Sequence, residues 1–181
     1  TLLSWGSPLW LAPFLQKSVA YDPVKDFAPV TLVATSPNLM VIHPSLPVNS
    51  VKDLINLAKR MPGQLNYSSP GPGGSPHLAA ELLKSMAGIN VVHIAYRGVG
   101  SALTALLSGE VQLMFPNAAS AAPHVKSGRL KALAVTTAQP TALAPGLPTM
   151  ASSGLPGYES LGMFGILAPA GTPPAIVQIL N

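Results

Sequence analysis

Proline and glycine constrain this chain more than any other feature: 20 prolines and 16 glycines are spread through 181 residues, falling between apolar segments without forming a low-complexity tract. Proline removes an N–H and fixes φ, and glycine opens conformations closed to other residues, so regular elements stop where they occur. The chain is therefore expected to fold from many short elements joined by short connections. An apolar fraction of 48% is enough to build a packed core and argues against disorder.

Between these breaks the segments alternate in type. Asn38–His43 is a short apolar run, and Ser50 is placed to cap a helix in which Val51, Leu54, Ile55 and Ala58 recur at i, i+3, i+4 and i+7. Leu65–Tyr67 reads as a strand, followed by a helix with Leu78, Leu82, Leu83 and Met86 on one side and Gly88 as its C-terminal cap. The unit repeats as strand Val91–Ala95 with helix Ala102–Ser108, then strand Val111–Phe115 with helix Ala118–Ser127, and Leu130–Val135 adds one more strand. Strand–helix alternation with near-continuous apolar strands predicts an α/β fold with mainly parallel sheets. The opening Thr1–Ser4 reads as the inside of a strand and Ala175–Asn181 as a helix cut short, so both ends are expected to be truncated elements. Changes of texture near Val30–Ser36 and at Thr136–Thr137 divide the chain into 1–30, 31–136 and 137–181.

Composition narrows the chemistry. Only 9% of residues are charged, against roughly 25% in soluble domains, and six carboxylates serve the whole chain. The net charge of +4 comes from cations scattered from Lys17 to Lys131, with no basic stripe and no interleaved aromatics, which argues against nucleic acid. The absence of cysteine excludes disulfides, thiolate nucleophiles and Cys-ligated metals. No stretch of about 18 apolar residues escapes charges and prolines, so no membrane-spanning helix is expected, and no signal peptide opens the sequence.

Right-handed crossovers bring the loop after every parallel strand to one edge of the sheet, where open α/β sheets bind ligands. Two such loops stand out: Ser68–His77, with Ser75 as expected N-cap and Pro76 at the first helical position, and Tyr96–Ser101, with Ser101 as expected N-cap. Each following helix offers unpaired N–H groups and a positive dipole end, so together they form a place for an anion. In the first loop the backbone donors are Ser69, Gly71, Gly73, Gly74, Ser75 and His77, because Pro70, Pro72 and Pro76 have none. The plainer reading of the same residues is that they only turn the chain and cap helices. His77 is either a supporting residue or a ligand contact. Arg97 is either a carboxylate partner or a solvated loop residue.

Enzyme patterns fail. Gly71-Pro-Gly73 reaches Pro76 where a dinucleotide fingerprint needs glycine, and no Gly-Lys-Ser/Thr follows a glycine-rich loop. Gly73–His77 lacks the closing glycine of a nucleophile elbow. His43, His77, His93 and His124 never stand at i, i+4 and have no acidic neighbour at ligand spacing, so neither metal nor cofactor is expected.

Several stretches, in order, resemble the TctC-like, or Bug, solute-binding proteins of tripartite tricarboxylate transporters: Tyr21–Val30, Ser69–Leu78, Ile94–Gly98, Gly109–Val111, Met114-Phe115, Ser127–Val135, Pro148-Thr149, Gly154–Tyr158 and Ala168–Pro173. The resemblance implies a periplasmic, two-lobed Venus-flytrap protein that catalyses nothing and holds a di- or tricarboxylate, acidic amino acid or aromatic acid between its lobes. It implies residues 1–30 and 137–181 as crossovers and part of a first lobe, and 31–136 as the second lobe. It maps Ser69, Gly71, Gly73, Gly74, Ser75 and His77 to the carboxylate loop, Arg97, Gly98, Gly100 and Ser101 to its neighbour, and Asn117 to a polar contact. The implied partners are the membrane subunits of the transporter or a sensor protein. The chain departs from the family where Pro116 replaces a usual acidic residue, where Ala95 and Ser101 replace prolines, and near Gln139, where an arginine is usual. The family's first-lobe Pro-Gly-Gly loop would lie before position 1 and its last helices after Asn181. Two other readings stay open: an α/β enzyme acting on a small anionic substrate, and a fragment that self-associates to cover strand edges.

Overall fold

The computed structural model describes residues 1–181. In chain order the elements are β1 (Leu3–Gly6), α1 (Pro8–Leu15), β2 (Phe27–Pro37), β3 (Leu39–Ile42), α2 (Val51–Arg60), β4 (Asn66–Ser69), α3 (Ser75–Ala87), β5 (Val92–Ala95), α4 (Val99–Leu107), β6 (Leu113–Met114), α5 (Ala118–Lys126), β7 (Lys131–Val135), β8 (Leu161–Pro169) and α6 (Pro174–Leu180).

Two sheets result. The larger has the order β5-β4-β6-β3-β7; β4 runs parallel to β5 and β6, while β3 is antiparallel to both β6 and β7. Four of its five strands thus share one direction, and β3 alone is reversed. The smaller sheet, β1-β8-β2, departs from the parallel expectation and is antiparallel throughout. Its strands come from the two ends of the chain with no βα crossover between them, so nothing forces a common direction.

The apolar run Leu39–Ile42 is buried along its whole length because both faces of the larger sheet are covered. With a side-chain period of two, Met40 and Ile42 join one core with Leu54, Tyr67, Leu83 and Phe115, while Leu39 and Val41 join another with Ala102, Leu106, Met114 and Ala121. Residues α2 and α3 contribute thus cover one face, and α4 and α5 the other. Met150, Leu155 and Tyr158, from the irregular stretch after Thr136, also pack into the first core. Helix α3 turns an unexpected side inward: Ala79, Ala80 and Leu83 are buried, while Met86 is exposed. The small alanines let the helix lie close to β4, which leaves Met86 outside. No helix is long and apolar enough to cross a membrane.

Candidate binding cleft

Strands β4, β5 and β6 end at Ser69, Ala95 and Met114 on one edge of the sheet, and α3, α4 and α5 begin there. Because β3 is reversed, its first neighbour, Asn38, arrives at that same edge. The smaller sheet faces it, and a cleft of about 270 Å³ lies between them.

Four helix N-termini line this cleft. Ser7 and Pro8 open α1, Gly74, Ser75 and Pro76 open α3, Val99 opens α4, and Asn117 caps α5. The first N–H groups of each helix lack intrahelical acceptors, and each dipole presents its positive end. Trp5, Met163 and Phe164 supply an apolar wall, and the 16 lining residues include no Asp, Glu, Lys, Arg or His. Such an enclosure suits an anion with an apolar body, held by dipoles and N–H groups instead of a counter-charge.

The local chemistry explains the placement. Asn117 accepts a hydrogen bond from the Ser120 N–H at 2.8 Å, a side-chain N-cap. The Ser68 hydroxyl donates to the Ala102 carbonyl at 3.0 Å and ties α4 to β4. Helix α3 starts one residue earlier than the sequence suggests, with Gly74 as N-cap and Ser75 inside the first turn. Helix α4 starts three residues earlier than expected: Gly98, at φ +110°, is the N-cap, and the Ser101 hydroxyl donates back to the Gly98 carbonyl at 3.1 Å. Glycine is needed at 98 because that φ is closed to side-chain-bearing residues. At Gly73, with φ +82°, a Cβ would also lie 2.9 Å from Leu15 Cδ1, so the loop passes beside the end of α1, and the positive φ is what calls for glycine.

Of the residues singled out in the sequence, Gly74, Ser75 and Asn117 line the cleft, joined by Pro70 and Val99 from the same two loops. Gly71 and Gly73 shape the first loop behind them, and Arg97, Gly98, Gly100 and Ser101 stand outside the lining, with Arg97, Gly100 and Ser101 exposed. Ser69 is fully buried and turned away: its Oγ lies 2.7 Å from His93 Nε2 and donates to the Gly71 carbonyl. His77 Nδ1 accepts the Gly73 N–H at 3.2 Å, so this imidazole braces the loop from behind. His77 and His93 lie 4.5 Å apart, and His93 stacks on Tyr67, whose hydroxyl donates to Glu81 at 2.6 Å. Burial pushes both imidazoles below the usual histidine range. Burial works to raise the Glu81 carboxyl, but hydrogen bonds from Lys84 and Tyr67 outweigh it and hold the group low.

Sequence reasoning missed Ser7, Trp5, Asn38 and Gly162 in the cleft wall. A Cβ on Gly162 would lie 3.2 Å from Ser75 Oγ, so the two sides of the cleft meet closely there. Asn38 had one available signal: a polar residue, sandwiched between Pro37 and a fully apolar run, at a position the sheet buries.

Two α/β units facing each other across a cleft walled by helix N-termini define the architecture of the periplasmic solute-binding proteins. Residues 1–181 match the tripartite tricarboxylate transporter family receptor, TctC, and the chain belongs to that family. It is 33% identical over 180 residues to BugT of Bordetella pertussis, covering 99% of this chain and 55% of that protein. Among solved structures, an R. palustris protein with adipate superposes at TM-score 0.84 with 41% identity, over 91% of this chain and 55% of that one. MatC from Rhodopseudomonas palustris with bound malate superposes at 0.89 with 29% identity, over 100% and 62%. The chain spans about half the length of the curated relatives it matches.

Proposed function

We propose that this chain forms part of a periplasmic receptor that captures a small carboxylate between two lobes and delivers it to the membrane subunits of a tripartite tricarboxylate transporter or to a sensor. Residues 31–136 are read as the second lobe. The observation that carries the proposal is the convergence of four helix N-termini on a cleft without a charged side chain: it favours an anion and supplies no group to transform one. The adipate and malate bound to the two structural relatives fit the same chemistry. Gly74, Ser75, Val99 and Asn117 are the contacts, while Gly71, Gly73 and His77 hold the loop in shape and Ser69 holds it to β5.

The enzyme alternative draws on one observation, the Ser69–His93 pair at 2.7 Å. Against it, Ser69 is buried outside the cleft and its hydroxyl is committed to Gly71. Thermal-shift titration of the full-length protein, stripped of prior ligand, with mono-, di- and tricarboxylates tests the proposal. At about a hundred times Kd the stabilisation is about 2.7 kcal/mol. A folded protein that no carboxylate stabilises would sink the proposal, and turnover of an anionic substrate abolished by Ser69→Ala or His93→Ala would favour the enzyme.

A further inference from the structure

We infer that His77 is a proton-sensitive latch on the loop after β4. Neutral, it holds the loop in the shape that takes a carboxylate; protonated, it lets go, so that ligand is held near neutral pH and given up in acid. The inference rests on the carboxylate reading above.

Side-chain hydrogen bonds reach residues 70–74 from two residues only. The Ser69 hydroxyl donates to the Gly71 carbonyl at 3.1 Å and accepts the Gly71 N–H at 3.2 Å, and His77 Nδ1 accepts the Gly73 N–H at 3.2 Å. Both anchors end on imidazoles, because Ser69 Oγ also meets His93 Nε2 at 2.7 Å, and the His93 and His77 ring centres are 4.5 Å apart. Pro70, Gly74, Ser75 and Pro76, beside these anchors, line the cleft. Gly71 at φ +133° and Gly73 at φ +82° let the loop change shape once an anchor is lost.

The two imidazoles respond differently to a proton. A main-chain N–H can only donate, so His77 Nδ1 must be bare, and an imidazolium, with a hydrogen on both nitrogens, cannot accept that bond. With the Ser69 hydrogen on the Gly71 carbonyl, His93 Nε2 is the donor to Ser69 Oγ, and a second proton goes to its Nδ1 without disturbing that contact. His77 is thus the anchor that acid breaks. The groups around it are Glu81 and Lys84 on its own helix, Tyr67 from β4 and His93 from β5. The segment after β7 brings Tyr158, bonded to the Ala79 carbonyl, with Glu159 exposed beside it, while α1 and β8 carry no titratable side chain. Burial disfavours charge on both imidazoles, Glu81 draws a proton toward His77, and a charge there pushes His93 lower still.

The ligand-bound form needs neutral His77. Affinity is therefore complete above the ordinary histidine value of about 6.5 and falls as the pH drops through the lower His77 value, by about tenfold per pH unit beneath it. An anion in the cleft acts in the opposite sense by attracting a proton to His77, and where that attraction wins, affinity rises in acid.

Calorimetric titration of the full-length protein with malate and with adipate, from pH ~7.5 to pH ~4.5, reads the sign, with circular dichroism confirming the fold at each pH. His77→Asn places a carboxamide oxygen near the Nδ1 position and cannot be protonated, so it carries only the ligand's own titration. Whatever its affinity at neutral pH, its fall in acid should be the shallower one, and the wild type should release up to about one more proton per ligand bound. His77→Gln repeats the comparison if the asparagine variant is misfolded, and His93→Gln should keep the acid loss. In the ligand-free protein, NMR should show the Gly73 amide moving with the His77 imidazole titration. Parallel pH profiles in wild type and His77→Asn, affinity that rises in acid, or a Gly73 amide indifferent to His77 would each overturn the inference. If neither acid binds the wild type at any pH, the carboxylate reading fails by itself, and the Gly73 amide still decides whether the latch exists.

Discussion

Asn117 performs two tasks that a single pair of substitutions can separate. Its Oδ1 accepts the Ser120 N–H at 2.8 Å as the cap of α5, and it also lines the cleft. Asn117→Ala removes the cap and should cost about 1 kcal/mol of stability, a fall in Tm of about 2–4 °C for a chain of this size. Asn117→Asp keeps an oxygen in the capping position and places a negative charge at a helix N-terminus, so stability should hold or rise slightly. The same charge opposes a bound carboxylate. Two unit charges about 4 Å apart repel by about 4 kcal/mol at an effective dielectric of about 20; with part of that screened by solvent in the open cleft, a loss of about a hundredfold in affinity remains. Urea denaturation reads the first effect and calorimetric titration with malate or adipate the second. A stable Asn117→Asp protein that binds these acids as well as the wild type would refute the reasoning, because no anion then sits at α5.

Two further outcomes follow from the supporting structure. Tyr158 is 1% exposed and donates to the Ala79 carbonyl at 2.7 Å, holding the segment after β7 against α3; Tyr158→Phe should lower stability by about 1 kcal/mol, and an unchanged urea midpoint would show that the bond contributes nothing. Because burial holds His77 and His93 below the usual histidine range, the unfolded chain binds more protons than the folded one just below pH ~6.5. The stability they contribute is complete above that pH and falls as the pH drops through it, which urea titrations at pH 7.5 and 5.5 will detect as a lower midpoint in acid. A midpoint that rises on acidification would contradict that sign.

How much of this was legible in the sequence varies by element. The βα units read correctly because proline and glycine isolate them: Gly88 caps α3 at φ +60° as expected, and Ser50 accepts the Asp53 N–H as the cap of α2. Helix starts were less legible. Ser75 and Ser101 resemble caps, but glycines at 74 and 98 can adopt the entry geometry sooner, and the serines then fall inside the first turn. The loop Ser68–His77, singled out in the sequence, meets the cleft through Pro70, Gly74, Ser75 and Pro76, but its division of labour was not legible. Only packing reveals that Ser69 and His77 face backward into the Tyr67–His93 cluster while Ser75 faces the cleft. Asn38 escaped notice because its importance depends on the reversal of β3, and strand direction is not written in an apolar run of four residues.

The central claim is that main-chain N–H groups at converging helix ends hold the carboxylate without a cation. A crystal structure of the full-length protein with malate or adipate bound tests it most directly. The account predicts carboxylate oxygens within about 3.2 Å of N–H groups at the starts of α3, α4 or α5, with no arginine or lysine in contact from residues 31–136. A carboxylate paired with Arg97, or bound outside the cleft between the two sheets, would contradict it.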